Sequence, residues 1–478
     1  MRPSKFRGGS AALALLALLP GAALADLTAE DVWQDWQAQA RAGGQELTAG
    51  IARTDGRMAL SDLTLATGTG EDRIVLTLPA MALVERGGEV AVELPARHVI
   101  AREIRIDGAP VTDRIALDHP GLSLVASGTP QDISYIFAAP LLTATVDSEA
   151  DPDTDVTLEL HDLDGRQRSQ ARGGERELTS SVRMAEATAI FGAGAPDARV
   201  SGRTTASAIE YTAHGVLPAA AGDAAALLAV IDWESQTTHG AASLALAMGD
   251  QPPIQARTSG GRSTSTLREG RAAGSMSLEA GAIEIALPGL PEPAGLGFDA
   301  MTGSFALPLV RGEAPEPWSL GATLDHMRAN DTAWSLFDPQ AVLPRDPGQI
   351  TLDLAGQARV TGDLQGTDWP FEVETMELRA LEIALAGARL TGTGNFTFAD
   401  PGPDGLPRPV GAADLALSGG ERLLDGLVAL GLLPPAQAMI ARMLAQGYAR
   451  PGDGPDTLTS RVEFRADGSI LANGRPIR

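Results

Sequence analysis

Apolar and polar residues alternate along most of this chain. Val90, Val92 and Leu94 alternate with Ala91 and Glu93, and Val156, Leu158 and Leu160 with Thr157, Glu159 and His161. The same beat recurs at Leu244-Leu246-Met248, Ile283-Ile285-Leu287, Phe305-Leu307-Leu309, Ile350-Leu352-Leu354, Phe371-Val373 and Val462-Phe464. Period two with one apolar face predicts half-buried antiparallel strands. The 54 Gly and 32 Pro that punctuate them predict hairpins and meanders. Many outward positions are Ala, Thr, Ser or Gly, so these strands are expected either to be covered on both sides or to line a groove.

Helical periodicity breaks this beat three times. "LTAEDVWQDWQAQARAGG" has Thr28 to cap it, Asp31 to complete a capping box and Gly43-Gly44 to stop it. Its Trp33, Trp36 and Ala40 share one face, a spacing expected to pack on a sheet. "GDAAALLAVIDW", 222–233, predicts a short connector helix. At 420–449 a helical hairpin is expected, broken by Pro434-Pro435. Leu423, Leu424, Leu427, Val428 and Leu430 line its first helix, and Met439, Ile440, Met443 and Leu444 its second. Packing on the sheet is the expected use of that greasy face; insertion into a membrane interface is the alternative. The chain end, "TSRVEFRADGSILANGRPIR", reads as a strand, an Asp-Gly turn and a return strand, Ser469 to Ala472.

The fold expected is therefore mainly β (α+β): long antiparallel meandering sheets with an N-terminal helix and a C-terminal helical hairpin packed on them. An N-terminal β-rich domain is expected over 26–215, a helical connector over 216–240 and a C-terminal β-rich domain over 241–478.

The first residues add a compartment. Arg2, Lys5 and Arg7 precede an unbroken Ala/Leu run over 11–19, and Ala23-Leu24-Ala25 offers a small-x-small cleavage site before Asp26. A cleavable signal peptide over 1–25 and a periplasmic protein are expected. The run is too short for a bilayer, which takes roughly 20 residues, so no transmembrane span is expected after signal removal.

Charge and composition narrow the chemistry. The net charge is −24 over 478 residues, and nucleic acid is not an expected partner, since phosphate backbones need clustered bases. There is no Cys, and Lys5 is the sole lysine, so beyond residue 25 Schiff-base, P-loop-lysine and thiol chemistry are excluded. Aromatics are 4%, too few for the ring stacking of a sugar-binding surface. Asp151, Asp153 and Asp155 have the alternate spacing of a calcium loop, but Val156 and Asp162 stand where Gly and Glu are required. They are weak metal candidates and are expected to form a solvated acidic loop. Six histidines, at 98, 119, 161, 214, 239 and 326, show no paired spacing that would nucleate a zinc site. No metal, cofactor or catalytic residue is expected.

"AWSLFDPQAVLPRDPGQITLDLAGQARVTGDL" resembles the corresponding segment of a bacterial envelope family, domain of unknown function 2125. The likeness rests on Trp334, Leu336, Phe337, Asp338 and Pro339, and on Leu343 to Pro347 with the strand after them. "DVWQDWQ" and "LGLLPPAQA…DGSILANG" are similar too. The resemblance implies no activity. Its general look is similar to β-sheet envelope proteins of the AsmA-like group, some of which handle lipids. Leu343 to Pro347 is expected to act as a rigid connector, because each proline holds its predecessor extended.

The expectation is an exported, non-catalytic protein that binds an apolar ligand, a lipid or acyl chain, or assists envelope assembly with another envelope protein. The alternatives are a carboxylate- or metal-dependent hydrolase using His161 and its neighbours, and a purely structural envelope module.

Overall fold

The computed structural model describes residues 27–68, 73–106, 109–149, 151–195, 199–221, 224–249, 251–362, 370–399 and 407–477. The signal peptide expected over 1–25 lies outside them. The chain divides into two compact units, residues up to Gln251 with 266–269, and 252–265 with 270–478.

The first unit opens with α1 (Ala29–Ala42), β1 (Gln45–Thr54) and β2 (Arg57–Thr67). Six shorter strands follow: β3 (Ile74–Leu78), β4 (Met81–Arg86), β5 (Glu89–Glu93), β6 (Arg97–Ile106), β7 (Ala109–Asp118) and β8 (Ser123–Thr129). Next come four long ones, β9 (Asp132–Ser148), β10 (Asp155–Arg172), β11 (Glu175–Ala193) and β12 (Val200–Leu217). The unit ends in α2 (Ala224–Val230), β13 (Asp232–His239) and β14 (Ala242–Met248). All these ladders are antiparallel. Between β2 and β9 the sheet forks: one branch runs through β3, β6 and β7, the other through β4, β5 and β8.

The core lies on the inner side of that fork. Leu60, Leu63, Leu83, Val90, Ile133 and Tyr135 are almost wholly buried, and Val32 and Trp33 of α1 close over them. Trp36 packs against the same cluster, so the helix seats its aromatic face on the sheet as the spacing predicts. Its capping box is present: Thr28 Oγ1 accepts from Asp31 N at 3.2 Å, and Thr28 N donates to the Asp31 carboxylate at 3.0 Å. Thr28→Ala removes one arm of that box. It should lower unfolding free energy by about 1 kcal/mol, read as a shifted urea midpoint at constant slope.

Strict alternation does not hold along the long strands. Leu160 and Leu163 pack on one core although they differ by an odd number of residues. Between them Asp162 has φ +49°, and the neighbouring ladder resumes in the same register. A single left-handed residue inside the strand thus inverts its parity and keeps apolar side chains on one face. Ala208, Ala280 and His326 have the same conformation inside other strands.

The segment 216–240, expected as the join between domains, lies inside the first unit. Its helix is only Ala224–Val230, because Asp232–His239 pairs along β12 and Trp233 stacks over Gly215. Ile231 and Trp233 pack on Ala42, Leu178 and Leu217, and that burial overrides the helical pattern at 231–233.

The second unit contains β15 (Ile254–Thr258), β16 (Gly260–Arg268), β17 (Arg271–Ile285), β18 (Ala294–Pro308), β19 (Glu316–Ala329) and α3 (Asp331–Ser335). After these come β20 (Gly348–Val360), β21 (Phe371–Leu385), β22 (Ala388–Ala399) and β23 (Arg408–Ser418). Helices α4 (Gly420–Ala429) and α5 (Pro435–Tyr448) precede β24 (Arg450–Pro451), β25 (Thr457–Phe464), β26 (Ile470–Ala472) and β27 (Arg475–Pro476). From β17 to β23 each strand pairs with its sequence neighbours, and β25 adds to β23. The Asn-Gly at the chain end makes a second turn and adds a short strand beyond the return strand. Asn473 and Gly474, at φ +49° and +80°, reverse β26 into β27.

The helical hairpin is present as expected, with α4 against β22, but one face of it departs from the expectation. Gly426 of α4 is buried against Leu343, but the greasy face of α5 is not laid on the sheet. Met439, Ile440, Met443 and Leu444 are 50–57% exposed.

Candidate functional site

Residues opposite one another in an antiparallel ladder point to the same side, so the register of the second unit gives its two surfaces directly. One rung reads Leu278, Met301, Leu324, Ile350, Ile383, Leu390, Leu417 and Leu458 across eight strands. Two residues along, on the same side, stand Met276, Gly303, Ala322, Leu352, Leu381, Gly392, Leu415 and Ser460. The rung after that carries Phe305, Leu320, Leu354, Leu378, Ala413 and Val462. The rung between the first two faces the other way, and reads Ser277, Thr302, Thr323, Thr351, Glu382, Thr391, Ala416 and Thr459. One surface is hydrocarbon and the other hydroxyl. The strands are amphipathic after all, their Ser and Thr supplying the polar side.

At 4.7–4.9 Å per strand the apolar rungs run roughly 33 Å. They are not closed over: Met276, Phe305, Leu320, Ile350 and Ile383 are 39–45% exposed. Both hydrophobic clusters of buried residues belong to the first unit. Glycines on this side make room for rings, since a Cβ on Gly274 would meet Phe305 at 2.7 Å. A shallow hollow of about 770 Å³ on this unit has a mixed lining, with Trp318, Met376 and Phe396 beside Arg271, Glu377, Arg379 and Asn395.

The "WSLFDPQAVLPRDP" segment forms a clamp at the end of this unit. Asp338 is fully buried and accepts from Val342 N at 2.8 Å and Leu343 N at 2.9 Å. Arg345 lies 5.2 Å over the Trp334 ring and donates to Asp331 and to the Asp338 carbonyl. Burial pushes the Asp338 carboxyl up, but the Val342 and Leu343 amides and Arg345 more than offset it, leaving its pKa below the ordinary value. A depressed folded pKa gives a contribution that is complete above the unfolded value near 3.8 and lost as pH falls through the folded one. The gap in thermal midpoint between the parent and Asp338→Asn should therefore narrow on acidification.

The three loop carboxylates do not converge. Asp155 pairs with Arg199, whose Nη1 also donates to the Asp153 carbonyl at 3.0 Å. Asp151 accepts from Thr154 Oγ1 at 2.8 Å. Among the described residues no group of three or more His, Cys, Asp or Glu could hold a metal. His161 stands on β10 opposite Leu141 and Glu186. His214 contacts Glu177 and His326 contacts Asp325. His98 and His119 meet at 3.2 Å.

A buried polar cluster escaped the sequence reading. Asp35 accepts from Tyr135 Oη at 2.5 Å, Gln39 Nε2 at 2.7 Å, Ser169 Oγ at 2.9 Å and Arg176. Burial raises the Asp35 pKa, with Arg176 pulling it back, and burial beside that carboxylate lifts Tyr135 well above its ordinary value. Ser169 is wholly buried and the cluster contains no imidazole, so it fastens α1 to β9, β10 and β11. The signal was available: Asp35 interrupts the buried stripe of a helix otherwise seated by Val32 and Trp33.

Compared with protein-family models, with curated proteins and with solved structures, the chain finds no match in any of the three.

Proposed function

We propose that the second unit binds the hydrocarbon part of a lipid or acyl chain along the open side of its sheet, without catalysis. The supporting observation is the set of adjacent apolar rungs, 39–45% exposed at Met276, Phe305, Leu320, Ile350 and Ile383 and backed by a Ser/Thr surface. Exposed contiguous apolar surface of this size is costly in water and marks a binding surface. The rows carry no charge, and their one hydroxyl, Ser460, is engaged with the Tyr448 carbonyl, so the ligand is recognised by its chain rather than its head. The export signal read in residues 1–25 would put this activity in the periplasm, where lipids or another envelope protein are the available partners.

Native mass spectrometry of protein purified without detergent tests the reading. Bound species of lipid mass, released into organic solvent, are expected. Protein with no adduct and an empty solvent extract would sink the proposal.

A further inference from the structure

Helix α5 is packed inside out. Its small residues face inward: Ala438 is fully buried, and Ala441 and Ala445, three and seven positions on, are half-buried. Its large apolar residues, Met439, Ile440, Met443 and Leu444, lie on the other side at 50–57% exposure, joined by Leu432 in the preceding turn at 50%. A helix stabilised by packing normally does the reverse. Nor is it frayed. Arg475 Nη1 donates to the Gly447 carbonyl at 2.8 Å, and Asn473 Nδ2 to that of Tyr448 at 2.8 Å, holding its C-terminus to the last strands. The structure supports an exposed greasy helix at the cost of solvated hydrocarbon.

The geometry points to a membrane interface as the occupant of this face: we propose that α5 lies in the headgroup–acyl boundary of a lipid bilayer. Area argues against a second copy or a protein partner. Five half-exposed side chains offer a few hundred Å², below the roughly 800 Å² per partner of a stable interface. The patch has no charge, and its exposed amides, Gln437 and Gln446, stand only at its borders, whereas interfacial insertion asks for apolar area with a polar rim. The nearest charges, Arg442 and Asp425, neutralise each other across the hairpin, so docking buries no lone ion. With net charge −24 and no Lys beyond Lys5, attraction to anionic headgroups is not the driving term. The inference stands independently of the ligand on the sheet.

Co-sedimentation of the full chain with vesicles of phosphatidylcholine and phosphatidylethanolamine, with and without phosphatidylglycerol, is the test. Binding should be similar on both compositions and little changed by salt. Met439→Glu with Met443→Glu should cut it about tenfold or more, while unchanged circular dichroism shows the fold intact. Thr302→Glu, on the hydroxyl side of the sheet and in neither apolar face, should leave it unchanged, and the lipid adduct on the sheet should survive the α5 substitutions, which separates this inference from the proposed ligand site. Comparing chains with the same N-terminus cancels any contribution from residues 1–25. Equal binding by parent and α5 variant, no binding by either, or a dimer in sedimentation equilibrium that the variant abolishes would each overturn the proposal.

Discussion

Arg176→Ala should cost the protein about 3–5 kcal/mol, the range for removing one partner of a buried ion pair. Asp35 has a side-chain exposure of 1%, and among the described residues Arg176 is its cationic partner. The hydroxyls of Tyr135 and Ser169 and the Gln39 amide would remain, but none carries the charge that offsets desolvation. The pH dependence has a definite sign. A carboxyl whose folded pKa is raised binds its proton more tightly in the folded state, so stability rises as pH falls through that pKa toward the unfolded value. Removing Arg176 takes away the main influence that lowers it, so the variant should recover stability on acidification, and from a higher pH than the parent does. Urea unfolding at several pH values reads both effects. A loss under 1 kcal/mol, or no recovery in acid, would mean that water reaches Asp35.

Phe305→Glu with Ile383→Glu should abolish the lipid adduct while the protein stays folded. The two side chains stand on different strands and different rungs, each about 40% exposed. Neither substitution opens a core cavity, and neither sets two carboxylates directly opposite. A charge lying against hydrocarbon has no partner there, which weakens chain binding by at least about tenfold per site. Thr302→Glu, on the hydroxyl side of the same strand, is the control and should retain full occupancy. Mass spectra read the adduct, and near-parent thermal midpoints exclude unfolding. Undiminished adduct in the double variant would move the ligand elsewhere.

The fold class was legible because period-two patterning is local: each alternating stretch read from the sequence falls on an observed strand except for Leu94, Leu287 and Leu309, which lie just past strand ends, and the α1 cap is spelled in Thr28 and Asp31. Less local properties were hidden. The left-handed residues inside strands at Asp162, Ala208, Ala280 and His326 were hidden, since an Ala gives no sign of that conformation and an Asp or His is common elsewhere too. The apolar side was visible as residue types, but whether anything covers it depends on where helices fold back. That is why α5 was expected against the sheet. Asp35 was lost for the same reason, since its partners Tyr135, Ser169 and Arg176 are 100, 134 and 141 residues away.

From β17 to β23 no strand waits for a partner distant in sequence. Each new strand closes a short loop against an edge already in place, so the entropic toll is met in small instalments rather than at one late encounter. A polypeptide threaded N-terminus first through a narrow exit can therefore zip this half together as it emerges. Truncated intermediates ending after β19, β21 or β23 would each present a growing edge, and hence a need for escort, until the final strands arrive.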